Sequence, residues 1–361
     1  MKSWKNAKIG DLCKVKGGKR LPSGHSFSDI QTDYIYIRAR DIKSGKINFQ
    51  SPVYIDIETR EKIIRYTVDE GDIVLTIAGT IGETAIIDSN LHGASLTENA
   101  VKLNAFSGVE PSFLMYFLLC PSTKDYFDLI ASGSAQPKLG IYKINNTIIN
   151  YPSLAIQKKI ASILSAYDDL IENNLKRIKL LEEKAQLTYE EWFVRMKYPG
   201  HENDVVDSET GLPEGWYMKK LEDLIHLNYG KALKADSRIN GNIKVYGSSG
   251  IVGTHNTALV KGPGIIVGRK GNVGSVFLEE GDFFPIDTVY YVDSIYDLSY
   301  LYYLLRSLQF VNNDAAVPGL NRNMAYRKDV VIPKESLLKK FSFTTPCNSL
   351  INEVISAPFT D

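Results

Sequence analysis

The apolar positions fall into short runs closed by glycine. Ile73-Val74-Leu75-Thr76-Ile77 runs into Ala78-Gly79, and Gly264-Ile265-Ile266-Val267-Gly268 has glycine at both ends. Runs of that length and closure predict buried strands. Tyr34–Ile37 and Val289–Val292 predict two more, while Phe113–Leu119 and Tyr300–Leu308 have helical spacing behind helix-start residues. Gly79, Gly82, Gly271 and Gly274 mark tight turns that need positive φ or close backbone approach. From about Leu154 to Met196 the pattern changes. Ile160, Leu164, Tyr167, Ile171, Asn174, Ile178, Leu181 and Ala185 step by 4, 3, 4, 3, 4, 3 and 4, with no Gly or Pro between them. This is a heptad seam, and roughly 40 residues at ~1.5 Å each predict a rod of ~60 Å. So narrow a stripe needs a partner helix. Asn174 either fixes register as a buried polar residue or sits where the seam opens to water.

The chain also repeats itself. Trp4-Lys5 with Ile9-Gly10-Asp11-Leu12 returns as Trp216 with Leu221-Glu222-Asp223-Leu224. Lys16-Gly17-Gly18-Lys19 returns loosely as Asn228-Tyr229-Gly230-Lys231. The strand and turn from Gly71 to Gly82 return from Gly262 to Gly274, and Ser112–Leu119 returns as Leu298–Leu305. Pro137-Lys138-Leu139 returns as Pro318-Gly319-Leu320, and Pro152 before an amphipathic stretch returns as Pro333. The order is kept throughout, which chance does not supply six times in series. The expected fold class is α/β (mixed α+β), with two similar globular domains separated by a long coiled-coil helix. The expected divisions are 1–153, 154–199, 200–333 and 334–361, the last a short, interrupted helical region.

Composition narrows the class. With 361 residues, 44% apolar and 23% charged, each half can bury an ordinary core. No run of 18 apolar residues predicts a membrane span. Met1-Lys2-Ser3-Trp4-Lys5 lacks the apolar centre of a secretory leader, so a cytoplasmic location is expected. Cys13, Cys120 and Cys347 are too few and too far apart for a disulfide framework or a cysteine zinc site, and are expected as small core hydrophobes. The 42 basic and 42 acidic residues cancel, yet the first 40 residues hold 9 basic against 3 acidic. A neutral chain can therefore still present a basic face.

Catalytic patterns are weak. Gly268-x2-Gly271-x2-Gly274 lacks the dinucleotide spacing, and no Walker A motif occurs. Asn150-Tyr151-Pro152 has the wrong order for the Asn-Pro-Pro-Tyr element of amino-methyltransferases. His25, His92, His201, His226 and His255 are scattered, none at a zinc spacing, and are expected on surfaces or loops. Asp168-Asp169 and Glu182-Glu183 are expected on the solvated side of the helix. No nucleophile–base pair is visible, so a non-catalytic reader is favoured.

Pro152 with Gln157-Lys158-Lys159-Ile160-Ala161-Ser162-Ile163-Leu164 opens the long helix, and Glu191-Trp192-Phe193 lies near its end. Gly211-Leu212-Pro213-Glu214-Gly215-Trp216 then opens the second copy, which carries Gly268-Arg269-Lys270-Gly271-Asn272-Val273-Gly274. Over essentially its whole length the chain resembles the specificity subunit of Type I restriction–modification systems. The resemblance implies two target-recognition domains, each reading one half of a split double-stranded DNA sequence. It implies that two long helices pair as an antiparallel ruler and dock two methyltransferase subunits, and that the chain itself binds no cofactor. S-adenosylmethionine would sit on the methyltransferase partners. The resemblance also admits restriction subunits that use ATP and magnesium. The sequence departs from the pattern where the second conserved helix reads short, which opens self-association through the Leu154–Met196 helix.

Base readers should be long polar side chains on loops backed by glycine turns, and phosphate contacts should be Lys, Arg and backbone N–H groups. In the first copy these are Lys16, Lys19 and Arg20 around Gly17-Gly18, Arg38 and Arg40 beside a strand end, Thr80 at the glycine turn, and Gln136 with Lys138. In the second they are Arg269, Lys270 and Asn272 in the glycine-rich turn, then Asn321, Arg322 and Asn323, then Tyr229, Lys231, Tyr246 and Ser248. The plain alternatives are a solvated turn for Lys16–Arg20, an ion pair with Asp41 for Arg38 and Arg40, and a solvated loop for Asn321–Asn323. Two other functions fit less of the pattern: a DNA methyltransferase or nuclease with its site dispersed over loops, and a coiled-coil adaptor for proteins.

Overall fold

The computed structural model describes residues 4–133, 137–308, 310 and 319–344. The chain divides into two compact units, Met1–Leu170 and Ile171–Asp361. In the first, four antiparallel strands run in the order Lys14–Gly17, Ala100–Asn104, Ile73–Thr76 and Thr84–Ile86. Every residue of Ile73–Thr76 is buried, which explains its unbroken apolar run. Lys5–Lys8 pairs with Ile148–Tyr151 in a separate ribbon. Helix Pro111–Leu119 starts on a proline whose fixed φ suits the first turn, and it buries Phe113, Leu114 and Leu118 in the core of Ile73, Leu75, Val101 and Leu103.

The second unit repeats this plan. Its sheet runs His226–Tyr229, Val289–Asp293, Gly264–Gly268 and Val276–Glu279, and its ribbon pairs Tyr217–Lys220 with Asp329–Ile332. The repeat extends to single hydrogen bonds. Ile9 N–H donates to Thr147 O at 2.9 Å, and Leu221 N–H to Lys328 O at 2.9 Å. Gly18 N–H donates to Ala100 O, and Gly230 N–H to Val289 O. Leu139 N–H donates to Ile77 O at 2.8 Å, and Leu320 N–H to Arg269 O at 2.7 Å. The glycine turns close alike, Gly82 N–H on Thr76 O and Gly274 N–H on Gly268 O. Gly79, Gly82, Gly271 and Gly274 all have positive φ, between 75° and 86°. A further three-stranded sheet in the second unit contains Ile243–Gly247, Gly250–His255 and Phe283–Pro285.

One helix runs from Leu154 to Tyr189, about 54 Å at ~1.5 Å per residue. It gives way to a wide π-type turn at Glu190–Val194, and Met196 adopts φ 59°, so the regular helix outlasts the heptad seam but stops short of Met196. The wide turn carries Phe193 into a ring cluster with Tyr300 at 5.1 Å and Phe341 at 5.0 Å. At the other end Gln157 is fully buried. Its amide accepts Glu110 N–H at 2.9 Å and donates to Pro152 O at 2.9 Å, which gives the Pro-x4-Gln spacing a physical cause. Along the seam, Ile160 packs on the first core and Ala185 is buried in the second. Leu164, Tyr167, Ile171 and Leu181 are exposed on the chain alone, and Asn174 and Ile178 are half-buried. Asp168 leaves the solvated side and accepts the Tyr116 hydroxyl at 2.7 Å.

After Pro333 the helix Glu335–Thr344 buries Leu337, Leu338 and Phe341; the expected segment beyond it lies outside the described residues. Cys13 is buried, but Cys120 is exposed between two helices instead of filling a core, and Cys347 lies outside the described residues. His255 is also buried, its Nδ1 accepting Ile239 N–H at 3.1 Å. Among the described residues no helix is long and apolar enough to cross a membrane.

Candidate nucleic-acid interface

In the second unit the strand register sets Tyr229 directly across from Tyr290. Arg269 follows the strand Gly264–Gly268, and its backbone N–H is fixed on Thr288 O at 2.9 Å. Its guanidinium lies 4.8 Å from the centre of the Tyr229 ring and donates to Asp287 O at 3.2 Å. The Arg322 guanidinium lies 5.2 Å from the same ring and donates to Leu227 O at 3.4 Å. With Lys270, Tyr290 and Asn323 these residues line a cleft of about 410 Å³. None of Arg269, Lys270 and Arg322 forms an ion pair among the described residues. Burial, reinforced by the Tyr229 hydroxyl, pushes the Tyr290 phenol up to about 12, so it stays a neutral donor, on Leu320 O at 3.2 Å. Two guanidiniums over an aromatic floor, with Lys270 lining the same cleft, make an anion-receptive surface rather than a catalytic one.

Six of the second-copy candidates therefore meet in one place: Tyr229, Arg269, Lys270, Asn321, Arg322 and Asn323. Asn321 has a prior task. Its side-chain oxygen caps helix Arg322–Tyr326, accepting Asn323 N–H at 3.0 Å and Met324 N–H at 3.3 Å. Asn272 reaches Ser249 Oγ at 3.3 Å, which joins the glycine turn to the Ser248-Ser249 turn. Ser248 O in turn accepts the Ser275 hydroxyl at 2.7 Å. Lys231 is exposed. Tyr246 is not on a surface: its ring is buried and its hydroxyl donates to Glu279 at 2.6 Å. Glu279 is desolvated, yet the Tyr246 hydroxyl, Lys244 and Gly281 N–H outweigh that penalty and hold its carboxyl below the usual range.

The first-unit candidates are dispersed. Lys16 lies within the strand Lys14–Gly17, not in a loop, and Arg20 reaches Glu98 at 3.5 Å with most of its side chain exposed. Lys19 Nζ stands 5.8 Å from the Tyr66 ring. Arg38 is spent internally. It grips Asp41 through two bonds of 2.9 and 2.8 Å and donates to Ser51 O at 2.6 Å, with the Asp41 side chain only 3% exposed. Arg40 stays exposed, as does Thr80, whose carbonyl accepts the Thr76 hydroxyl. Lys138 bridges Ala78 beside that turn, and Gln136 lies outside the described residues.

Sequence reasoning missed a shallow basic groove. Lys8, Lys14, Asn145 and Asn146 line it together with Lys16, and Lys8 Nζ donates to Asn146 at 2.9 Å. The basic excess in the first 40 residues was its signal. It also missed a His25–Thr59 pair, 2.6 Å apart, but Thr59 is fully buried and cannot meet a substrate. Among the described residues no cluster of three or more His, Cys, Asp or Glu could hold a metal.

These features define a twice-built mixed α/β scaffold with polar and cationic surfaces at its turns. A family model described as a Type I restriction modification DNA specificity domain matches residues 1–183 and 213–337, and the chain belongs to that family. Among curated proteins it is similar to the MjaIX specificity subunit of Methanocaldococcus jannaschii, 30% identical over 240 residues, 63% of this chain and 53% of that one. It is also similar to the HindI specificity subunit of Haemophilus influenzae, 24% identical over 204 residues, 54% of this chain and 41% of that one. The chain thus spans about half the length of the curated relatives it matches. Among solved structures it shares the fold of a Type I restriction–modification S subunit from M. genitalium, with a TM-score of 0.59 and 17% identity over 98% of this chain and 91% of the other.

Proposed function

We propose that this chain is the non-catalytic DNA-specificity subunit of a Type I restriction–modification enzyme. Residues 1–153 and 200–333 act as target-recognition domains, each for one half of a split duplex target. The helix over 154–199 is the spacer, and 334–361 is its shorter counterpart. Two methyltransferase subunits dock on the helical part and bring S-adenosylmethionine. Restriction subunits, with ATP and magnesium, complete the endonuclease in the cytoplasm.

One observation carries this reading: a single scaffold is built twice on one chain, and the family model spans both copies. A duplicated reader recognises two separated sequences, as dimeric DNA-binding proteins recognise two half-sites. The Leu154–Tyr189 helix is free of glycine and proline, which suits a spacer. Phosphate contacts hold each reader in register while side chains at the turns sample base edges.

The test is co-expression with a methyltransferase subunit of the same system, followed by genome-wide mapping of methylated sites. A split motif with a constant gap is the expected result. Methylation at one continuous motif, or methyl transfer by this chain alone, overturns the reading.

A further inference from the structure

The shared hydrogen-bond frame lets each position of the Tyr229 cleft be located in the first unit. The Leu139–Ile77 and Leu320–Arg269 bonds make Ile77 the counterpart of Arg269. The bridges Ala78–Lys138 and Lys270–Gly319 make Ala78 the counterpart of Lys270. Gly140 and Asn321 each precede a five-residue helix, so Ile141 answers to Arg322. Gly17 pairs with Val101 as Tyr229 pairs with Tyr290. Where the second unit has two guanidiniums, an ammonium and two phenols, the first has Ile77, Ala78, Ile141, Gly17 and Val101. Ile77 and Val101 are buried there, and a Cβ on Gly17 would meet Ile141 Cδ1 at an ordinary 3.6 Å. Among the described residues, Lys138, which bridges Ala78, brings a cation to that place in the first unit.

We propose that the Arg269–Lys270–Arg322 cleft is a phosphodiester clamp present in the second unit only, so that the two readers grip the duplex backbone by different chemistry. This rests on duplex DNA being the ligand. The cleft gathers three positive charges that no carboxylate offsets among the described residues, and a base pair is neutral whereas a phosphodiester carries one negative charge with two free oxygens. Each guanidinium already gives one N–H to a backbone carbonyl and rests near the Tyr229 ring. It is thereby oriented before binding and keeps its other donors for an oxyanion. Of the two asparagines that line the cleft, Asn321 has its amide oxygen committed to its helix cap and does not complete a base-reading pair.

The experiment uses the complex with its methyltransferase subunits and a duplex carrying the mapped target. Affinity is measured by fluorescence anisotropy over a salt series, for the wild type, for the Arg269→Gln/Arg322→Gln pair and for Lys270→Gln. Lys270 is exposed and holds no side-chain hydrogen bond or ion pair among the described residues, so its variant folds even if the double variant does not. The expected result is weaker binding to target and base-substituted duplexes alike, with the slope of log K against log salt shallower by about 1. Loss confined to one base pair with an unchanged slope overturns the clamp in favour of base reading. Binding identical to the wild type overturns it outright. A wild-type complex indifferent to duplex DNA refutes the proposed function itself, and the clamp with it.

Discussion

Gly18 and Gly230 occupy the same place in the two units, each pressed against a backbone carbonyl. A Cβ on Gly18 would fall on Thr97 O, and one on Gly230 on Ile286 O, both far inside contact distance. Backbone cannot retreat as a flexible side chain can. Gly18→Ala and Gly230→Ala should therefore each destabilise the protein by about 3 kcal/mol or more. Gly17→Ala, one residue away with space around it, should stay within about 1 kcal/mol. Urea denaturation followed by circular dichroism compares the three, and equal effects at Gly17 and Gly18 would count against the shared frame.

Arg38 and Arg40 are two residues apart and should behave oppositely. Arg38 is mostly buried and bidentate with Asp41, so Arg38→Ala leaves a buried carboxylate unpaired, at a cost of roughly 3–5 kcal/mol. Arg40 is exposed, and Arg40→Ala should change stability by no more than about 0.5 kcal/mol. Thermal melts of the two variants decide this.

Glu279 predicts a pH dependence. Its carboxyl is held below its ordinary value near 4.5 in the folded chain, so its ionised form favours folding. That stability is present above the unfolded value and is lost as pH falls through the folded one. Glu279→Gln should destabilise the protein by about 1–3 kcal/mol at pH 7. The difference from the wild type should shrink as pH falls below about 4.5. A gap that stays constant down to pH 3, in denaturant titrations at both ends, would contradict the sign.

The proposed spacer role of the Leu154–Tyr189 helix makes a geometric prediction. Removing one heptad, Ile171–Arg177, takes out seven residues, or ~10 Å of helix. The gap between half-targets should then shorten by up to about 3 base pairs, at ~3.4 Å each. Methylation mapping with the deletion variant measures it, and an unchanged gap would mean that the helix length does not set the spacing.

The architecture was legible because it is written in residues that govern the backbone. Glycines at 79, 82, 271 and 274, the runs at Ile73 and Gly264, and the heptad steps each restrict φ, ψ or burial without reference to distant partners. The site residues depend on such partners. Tyr246 looks like any tyrosine near a loop until Glu279, 33 residues on, takes its hydroxyl. Asn321 looks like a base reader until it caps its own helix. Tyr290 was overlooked because only the strand register sets it beside Tyr229. The repeated glycine turn sets Ile77-Ala78 against Arg269-Lys270 in the sequence, but only the bonds that the Ile77 and Arg269 carbonyls accept show that the two residues hold one backbone place.

The side chains that differ most between the halves hang from the same backbone bonds. Arg269, Lys270 and Arg322 hang from carbonyls and amides that the frame fixes whatever residue is attached, as Ile77, Ala78 and Ile141 demonstrate. The bonds do not depend on the side chain attached, so one backbone place can serve a core in one half, as Ile77 does, and a charged cleft in the other, as Arg269 does.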